Sequence, residues 1–162
     1  MTELIVLAFP NTHGAQDALS VLSSLQKQEL IKLADAATVV RKADGKVKVR
    51  QAVDLVGAGA LGGAFWGMLI GLIFLVPWLG LAIGAISGAI AGRFSDIGID
   101  DKFIKEVGAS VEPGNSALFL MVERMTDDRV LPELQKLHPT LLRTNLSAED
   151  EAKLRAAFGA EE

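Results

Sequence analysis

The feature that most restricts this chain is a long apolar segment, Leu55 to Gly92, that contains no charged residue. The sequence on either side of it has an ordinary mixture of charged and apolar residues. Exposed to water, such a segment would form an apolar surface far larger than a folded monomer normally shows. We therefore expect it to be buried, either in a membrane or in the middle of a homo-oligomer.

Glycines recur at intervals of four residues within this segment, and residues four apart lie on one side of a helix. Glycine costs about 1 kcal/mol relative to alanine inside a helix, so a repeated series is expected where close packing of two backbones returns that energy. With Pro77 between the two series, the pattern predicts a hairpin of two antiparallel glycine-zipper helices over residues 55–93. Its helix-packing and oligomerisation residues are Gly59, Gly63, Gly67 and Gly71 in the first helix and Gly80, Gly84, Gly88 and Gly92 in the second.

Two other interpretations of these glycines are weaker. A flexible glycine-rich loop would carry polar residues, which this segment lacks. Gly57, Gly59 and Gly62 match the spacing of a dinucleotide-binding loop, but no acidic residue follows about 20 positions later, as that site requires. The first acidic residue after the loop is Asp96, so we predict no nucleotide site.

The flanking sequence predicts strands and helices of an ordinary globular domain. Asp44-Gly45 is a turn signal between two strands, because glycine adopts a positive φ without steric cost. Without residues 55–93, the remaining order is strand, helix, strand, strand, helix, strand, which is that of a ferredoxin-like sandwich. We predict an α+β cytosolic domain from residues 1–54 and 94–162, with a C-terminal extension, interrupted by the hairpin. The predicted strands are 4–9, 37–42, 46–52, 117–122 and 140–145. Asn11 or Thr12 is predicted to cap the first helix, whose apolar side would be formed by Ala15, Ala18, Leu19, Leu22 and Leu25. The second helix is predicted to start at 100 or 101, the third to run from 126 or 127 to about 138, and the last to span 147–158.

Whether the hairpin crosses a membrane remains open at this point. A helix over 55–75 is about 31 Å long, enough for a bilayer core, whereas one over 78–93 is only about 24 Å long. The tip, 74–80, has no polar side chain, which favours an end that stays buried. The side chains away from the glycines are expected to meet lipid or a neighbouring subunit: Leu61, Phe65, Trp66, Leu69, Leu72, Ile73, Leu79, Ile83, Ile86 and Ile90.

A cluster of basic residues precedes the hairpin, with only Asp44 opposing it. One interpretation is contact with anionic lipid headgroups, worth roughly 1 kcal/mol per charge, on the cytosolic side of an inner membrane. The other is a solvated β-hairpin with exposed charges. The residues are Arg41, Lys42, Lys46, Lys48 and Arg50.

No residue pattern indicates catalysis. The chain has no cysteine, which excludes disulfides and thiolate chemistry, and its net charge of -4 does not suggest nucleic-acid binding. His13 and His138 have no partner at ligand spacing. The acidic pairs at 100–101 and 127–128 fit helix starts. We expect no enzyme activity, metal or cofactor.

The layout resembles a bacterial family of predicted membrane proteins of unknown function, similar to small general-stress proteins with a ferredoxin-like half. The residues that carry the resemblance are the strand Leu4–Phe9, the Asp44-Gly45 turn, the glycine series and the segment Phe94–Phe103. The resemblance implies a membrane and stress-response role, and no catalytic residue.

The leading hypothesis is thus a non-enzymatic, self-assembling, membrane-associated protein with both termini in the cytosol. A pore-forming oligomer is one alternative, although Ser87 is the only polar residue between Leu55 and Gly92. The other is a soluble homo-oligomeric particle that buries its hairpins in a shared apolar core, with room for apolar ligands.

Overall fold

The computed structural model describes residues 2–51, 63–74, 99 and 101–146. These ranges contain five strands and four helices, which confirms the predicted α+β class. In chain order the elements are β1 (Thr2–Phe9), α1 (Gly14–Lys27), β2 (Ile31–Arg41), β3 (Val47–Gln51), α2 (Gly63–Phe74), α3 (Asp101–Ser110), β4 (Ser116–Met125), α4 (Asp127–Gln135) and β5 (Thr140–Leu146).

The strands form one antiparallel sheet in the order β3-β2-β4-β1-β5. β4 is antiparallel to both β1 and β2, so β1 and β2 run parallel to each other with β4 between them. In the same way, β4 and β5 run parallel with β1 between them. The helix α1 connects the first of these pairs, and α4 connects the second.

Helices cover both faces of the sheet. On what we call the first face, α1 and α4 pack on residues such as Ile5, Leu7 and Leu120. On the second face, α2 and α3 pack on residues such as Val6 and Phe119. Strands covered on both faces are apolar throughout rather than alternating, and every residue of 4–9 and of 116–122 is accordingly buried.

The predicted ferredoxin-like sandwich is not confirmed. That arrangement would place the helices on one face of the sheet, as α+β sandwiches do, whereas here they lie on both. The strand predicted over 46–52 corresponds to β3, which lies at the edge of the sheet beside β2 alone. The predicted hairpin over 55–93 is not shown either, because α2 is its only described part. The predicted closing helix over 147–158 also lies outside the described residues.

The first helix follows its sequence pattern closely. Its predicted apolar side is buried at Ala15, Ala18, Leu22 and Leu25, and Leu19 is partly buried. The N-cap residue is His13 rather than Asn11 or Thr12, but Asn11 binds the start of the helix: its Oδ1 atom accepts hydrogen bonds from the N–H groups of residues 13 and 14, at 3.2 and 2.6 Å. The next N–H group donates to the buried hydroxyl of Ser116 at 3.1 Å.

The strand β2 begins six residues before its predicted start at residue 37, and it contains a bulge between Leu33 and Asp35. Asp35 is fully buried, and its Oδ1 atom accepts a hydrogen bond from the N–H of Ala36 at 2.8 Å. The predicted turn after β2 is confirmed, with Gly45 at a φ of 88°.

Candidate functional site

The described part of the apolar segment is α2, and one stripe of it forms part of the subunit core. The stripe repeats at the i, i+3, i+4 spacing of a helix that buries one side. Because these side chains pack on the second face of the sheet, the prediction that Trp66, Leu69 and Ile73 face lipid or another subunit is wrong. The buried residues are Trp66, Leu69, Ile70, Ile73 and Phe74, and they share one cluster with α3, β1, β2 and β4.

Trp66 is the largest fully buried side chain among the described residues. Its ring meets that of Phe119 in β4 edge to face, with 6.2 Å between centroids and an interplanar angle of 75°. Such aromatic pairs add about 0.5–1.5 kcal/mol beyond the burial of their area. The middle of α2 is therefore anchored on the central part of the sheet.

A glycine outside the apolar segment allows α2 and α3 to approach each other. A Cβ atom at Gly108 in α3 would lie 3.3 Å from the carbonyl oxygen of Ile73. Sequence analysis missed this contact, although a glycine inside a predicted helix is itself a signal of close packing, because it costs about 1 kcal/mol relative to alanine.

The zipper glycines that the structure describes are Gly63, Gly67 and Gly71, all in α2. At Gly71, which is half-buried, no described atom outside the chain neighbours and the backbone of its own helix lies within 4 Å of the position that a Cβ would occupy. This flank of α2 is thus not filled at Gly71 by the described part of the subunit. The other zipper positions, Gly59, Gly80, Gly84, Gly88 and Gly92, lie outside the described residues, so the pairing of two helices stays a prediction.

Arg41 differs from the other basic residues of its cluster, because its side chain contacts the helices on the second face. Its Nη1 atom donates to the carbonyl oxygen of Val111 at 2.8 Å, immediately after the end of α3. Its guanidinium carbon lies 5.5 Å from the centroid of the Phe74 ring, at the end of α2. Arg41 therefore joins the last turn of α2, the end of α3 and the end of β2, on the second face.

The other four residues of the cluster are exposed on the hairpin of β2 and β3. Among the described residues none of them forms an ion pair, whereas Lys32, Lys136 and Arg143 each pair with a carboxylate. They are Lys42, Lys46, Lys48 and Arg50, and we call this surface the basic hairpin.

The two histidines considered as candidate catalytic groups are both exposed. His13 lies on the surface, with its Nδ1 atom 2.7 Å from Asp17 Oδ2, and His138 is exposed in the loop before β5. Asp127 and Asp128 begin α4, as predicted. Within 2–51, 63–74, 99 and 101–146 there is no group of three or more residues suited to hold a metal ion.

Among the helices that the structure describes, none is both long and apolar enough to cross a membrane. The apolar helix α2 has 12 residues, about 18 Å at 1.5 Å per residue, against a hydrocarbon core of about 30 Å. The predicted transmembrane helices, and with them the predicted location in the inner membrane with both termini on its cytosolic side, are therefore wrong.

Searches of curated proteins and of solved structures gave no match for this chain. A family model matches residues 60–159. That range includes β4 and β5 but not β1, which lies between them in the sheet, so the matched range depends on the first part of the chain for its fold. The match does not confirm the membrane, glycine-zipper or stress-protein features that the resemblance implied. Since it spans more than half of the sequence, the chain belongs to the family described as Protein of unknown function (DUF1269).

Proposed function

We propose that this protein is a non-enzymatic, self-assembling protein that forms a homo-oligomeric particle and buries its apolar segment within protein. The observation that carries the proposal is the position of α2. One stripe of this helix is buried on its own sheet, while at Gly71 the described part of the subunit leaves its flank uncovered.

The composition of α2 explains why this position favours assembly. From Gly63 to Phe74 the helix has no polar side chain, and a helix that is apolar on all sides is stable in water only when all sides are buried. The sheet covers one side. A second copy of the chain supplies a surface of the same chemistry, and glycines at four-residue intervals allow two such helices to pack closely.

The sheet topology supports a division of the subunit into two structural parts. We propose that β1, α1, β2, β4, α4 and β5 form a ferredoxin-like unit, since both crossovers enclose one antiparallel strand as that fold requires. On this view β3 extends the sheet at its edge, and α2 and α3 form an added layer on the face that a ferredoxin-like sandwich leaves without helices. The added layer holds the apolar helix against the sheet and presents its remaining surface to another subunit.

A pore-forming oligomer is the weaker candidate. A conducting pore needs a polar lining, and α2 contributes no polar side chain to one.

The test compares the wild type with Gly71→Leu, purified without detergent, by mass photometry and sedimentation velocity. Because no described residue of the subunit fills this site, the leucine should leave the subunit fold intact, but it should occupy the space of a neighbouring helix and reduce the oligomer mass. Ser24→Leu, an added leucine on the exposed side of α1, is the matched control and should assemble like the wild type. A monomeric wild type, or a Gly71→Leu variant with unchanged mass, would refute the proposal.

A further inference from the structure

The edge strand β3 carries two kinds of side chain, one on each face of the sheet. Val47 and Val49 alternate with basic residues, and successive side chains of a strand point to opposite faces. Val49 lies opposite Val39 of β2, which belongs to the core on the second face. The valines therefore lie on the second face and the basic side chains on the first. The basic residues of this row are Lys46, Lys48 and Arg50.

The middle of β3 is exposed to solvent on both faces. Lys48 and Arg50 are exposed on the first face, and Val49 is 38 % exposed on the second. Val49 and Leu141 are the only large apolar side chains that are exposed among the described residues. Within the described sheet β3 pairs with β2 alone, so no described strand lies on its outer side.

The outer side of β3 presents the backbone groups of its valines. Next to the turn, the N–H group of Lys42 donates to the carbonyl oxygen of Lys46 at 2.8 Å, so these two residues form a hydrogen-bonded pair. Bonded and non-bonded pairs alternate along an antiparallel ladder, so Lys48 is also bonded to β2, whereas Val47 and Val49 are not. The N–H and C=O groups of the two valines therefore point away from β2, in the direction of an added strand.

We infer that β3 binds an extended segment of a partner protein as an additional strand, in which acidic side chains alternate with apolar ones. Side chains directly opposite each other on adjacent antiparallel strands lie on one face. The acidic side chains of the segment thus lie beside the basic residues of β3, and its apolar side chains lie beside Val47 and Val49. The backbone groups of the valines form the hydrogen bonds to the added strand. This inference goes beyond the proposed function, because it concerns another surface and another partner.

A second copy of β3 does not fit this edge. Antiparallel pairing of two β3 strands would place Lys48 and Arg50 beside basic residues of the other copy, and like charges opposite each other are destabilising. The charges of β3 thus exclude self-pairing, as charges on edge strands commonly do. The other edge strand, β5, differs, because its Arg143 pairs with Glu3 of the same subunit. The cations of β3 have no ion-pair partner in the described structure, which leaves them available to an acidic segment.

A nucleic acid is a less suitable partner for this surface. Proteins that bind single strands combine cations with aromatic side chains that stack on the bases. The hairpin from Lys42 to Gln51 contains no aromatic residue, and it exposes Val49 instead. Alternation of valines with cations matches a peptide strand with two different faces.

The experiment measures the binding of fluorescent synthetic peptides to the full chain by anisotropy. The test peptide has seven residues of alternating glutamate and valine. One control peptide has lysine in place of glutamate, and a second has the composition of the test peptide with all glutamates grouped at one end. A third keeps the test sequence but carries N-methyl groups on the valine backbone, which removes the hydrogens that bond to β3.

The protein variants test the charge. The charge-reversed form carries Lys46→Glu, Lys48→Glu and Arg50→Glu. The matched control makes the same change in charge at three other exposed positions. Its substitutions are Lys27→Glu, Lys102→Glu and Arg124→Glu.

The wild type and the matched control should bind the test peptide, with an affinity that falls as salt is added. The charge-reversed form should bind it at least about tenfold more weakly, because three favourable charge pairs become unfavourable, and should bind the lysine peptide instead. Hydrogen exchange at the amides of Val47 and Val49 should slow when the test peptide binds the wild type. The N-methylated peptide should bind at least about tenfold more weakly and give no such protection.

Three results would overturn the inference. The first is a wild type that does not bind the test peptide. The second is equal binding of the N-methylated and grouped peptides without protection of the two valine amides, which would indicate charge attraction alone. The third is tighter binding of a short single-stranded oligonucleotide, which would assign the surface to nucleic acid. None of these results changes the mass of the homo-oligomer, so the proposal for α2 is tested separately.

Discussion

The two faces of the sheet are covered by helices of different kinds. On the first face, α1 is amphipathic: its buried residues lie on one side, and exposed polar residues such as Gln16, Asp17 and Lys27 lie on the other. On the second face, α2 is apolar around its whole circumference. An amphipathic helix shows which side faces the core, whereas a helix like α2 does not.

This difference explains where the sequence-based prediction failed. The side of α1 that packs on the sheet was predicted correctly, with four of its five residues buried and Leu19 partly buried. For α2, the glycine spacing drew attention to one flank, and Trp66, Leu69 and Ile73 were assigned to lipid or another subunit. The structure shows that these residues complete the core of their own subunit.

The first prediction has the largest expected effect. It tests whether the side chains of α2 on the second face belong to the folded core, as those of α1 on the first face do. We expect Trp66→Ala to lower the free energy of unfolding by about 3–5 kcal/mol, and Leu22→Ala in α1 by about 2–5 kcal/mol. Both side chains are at most 1 % exposed. Urea denaturation followed by far-ultraviolet circular dichroism measures both. If Trp66→Ala kept the wild-type midpoint while Leu22→Ala lost stability, α2 would not belong to the folded core.

The second prediction compares one glycine from each face. A Cβ at Gly14 in α1 would lie 2.4 Å from the Cβ of Phe9, so Gly14→Ala should cost about 1–3 kcal/mol or more. At Gly108 the nearest atom is 3.3 Å away, and the higher helix propensity of alanine offsets the small shift that it requires. We therefore expect Gly108→Ala to change stability little in thermal denaturation. Equal losses for the two variants would contradict the contact distances.

Several features could be predicted because they depend on neighbouring residues alone. The Asp44-Gly45 turn, the start of α4 and a polar side chain bound to the first N–H groups of α1 belong to this class. The early start of β2 was missed, since Asp35 interrupts an apolar run and a carboxylate is seldom buried. Its burial depends on a bulge, which is set by pairing with β4 far along the chain.

For the candidate site, the basic hairpin could be predicted from the position of its charged residues around the Asp44-Gly45 turn. The separate role of Arg41 could not be predicted in this way. The carbonyl group of Val111 that it binds lies 70 residues away. Strand alternation gives a partial signal, because Arg41 and the buried Val39 are two residues apart and share a face of the strand.

The third prediction concerns the guanidinium group of Arg41, which contacts Val111 and Phe74 on the second face. Arg41→Leu removes the donor to the Val111 carbonyl group and the contact with the Phe74 ring, at a cost of about 1–2 kcal/mol. Arg41→Lys keeps the charge but loses the planar guanidinium group, so it should recover only part of that loss. Hydrogen exchange at the last turn of α3 should rise in the leucine variant while α1 stays protected. An equal rise in both helices would indicate global rather than local destabilisation.

The fourth prediction has the smallest expected effect on stability. It concerns Arg143 in β5, the edge strand of the sheet. The guanidinium group of Arg143 forms two hydrogen bonds with the Glu3 carboxylate, at 2.5 and 2.7 Å, and lies 3.4 Å from Asp127. The hydrogen bonds to Glu3 raise the pKa of Arg143 above its usual value; partial burial opposes this, and the negative charges of Glu3 and Asp127 support it. A raised pKa in the folded state means that the stabilisation is complete below the ordinary arginine pKa and is lost only as the pH rises through the higher folded value.

Both values lie far above the pH range in which the protein would be studied, so the charge of Arg143 gives no pH dependence there. Because the pair is partly exposed, Arg143→Gln should cost on the order of 0.5–1 kcal/mol. The difference in unfolding free energy between wild type and variant should stay constant between about pH 6 and pH 9, and it should shrink as salt is added. Denaturation at several pH values and two ionic strengths provides the measurement. A difference that fell steadily over this pH range would show that a group other than Arg143 controls the stability of this edge.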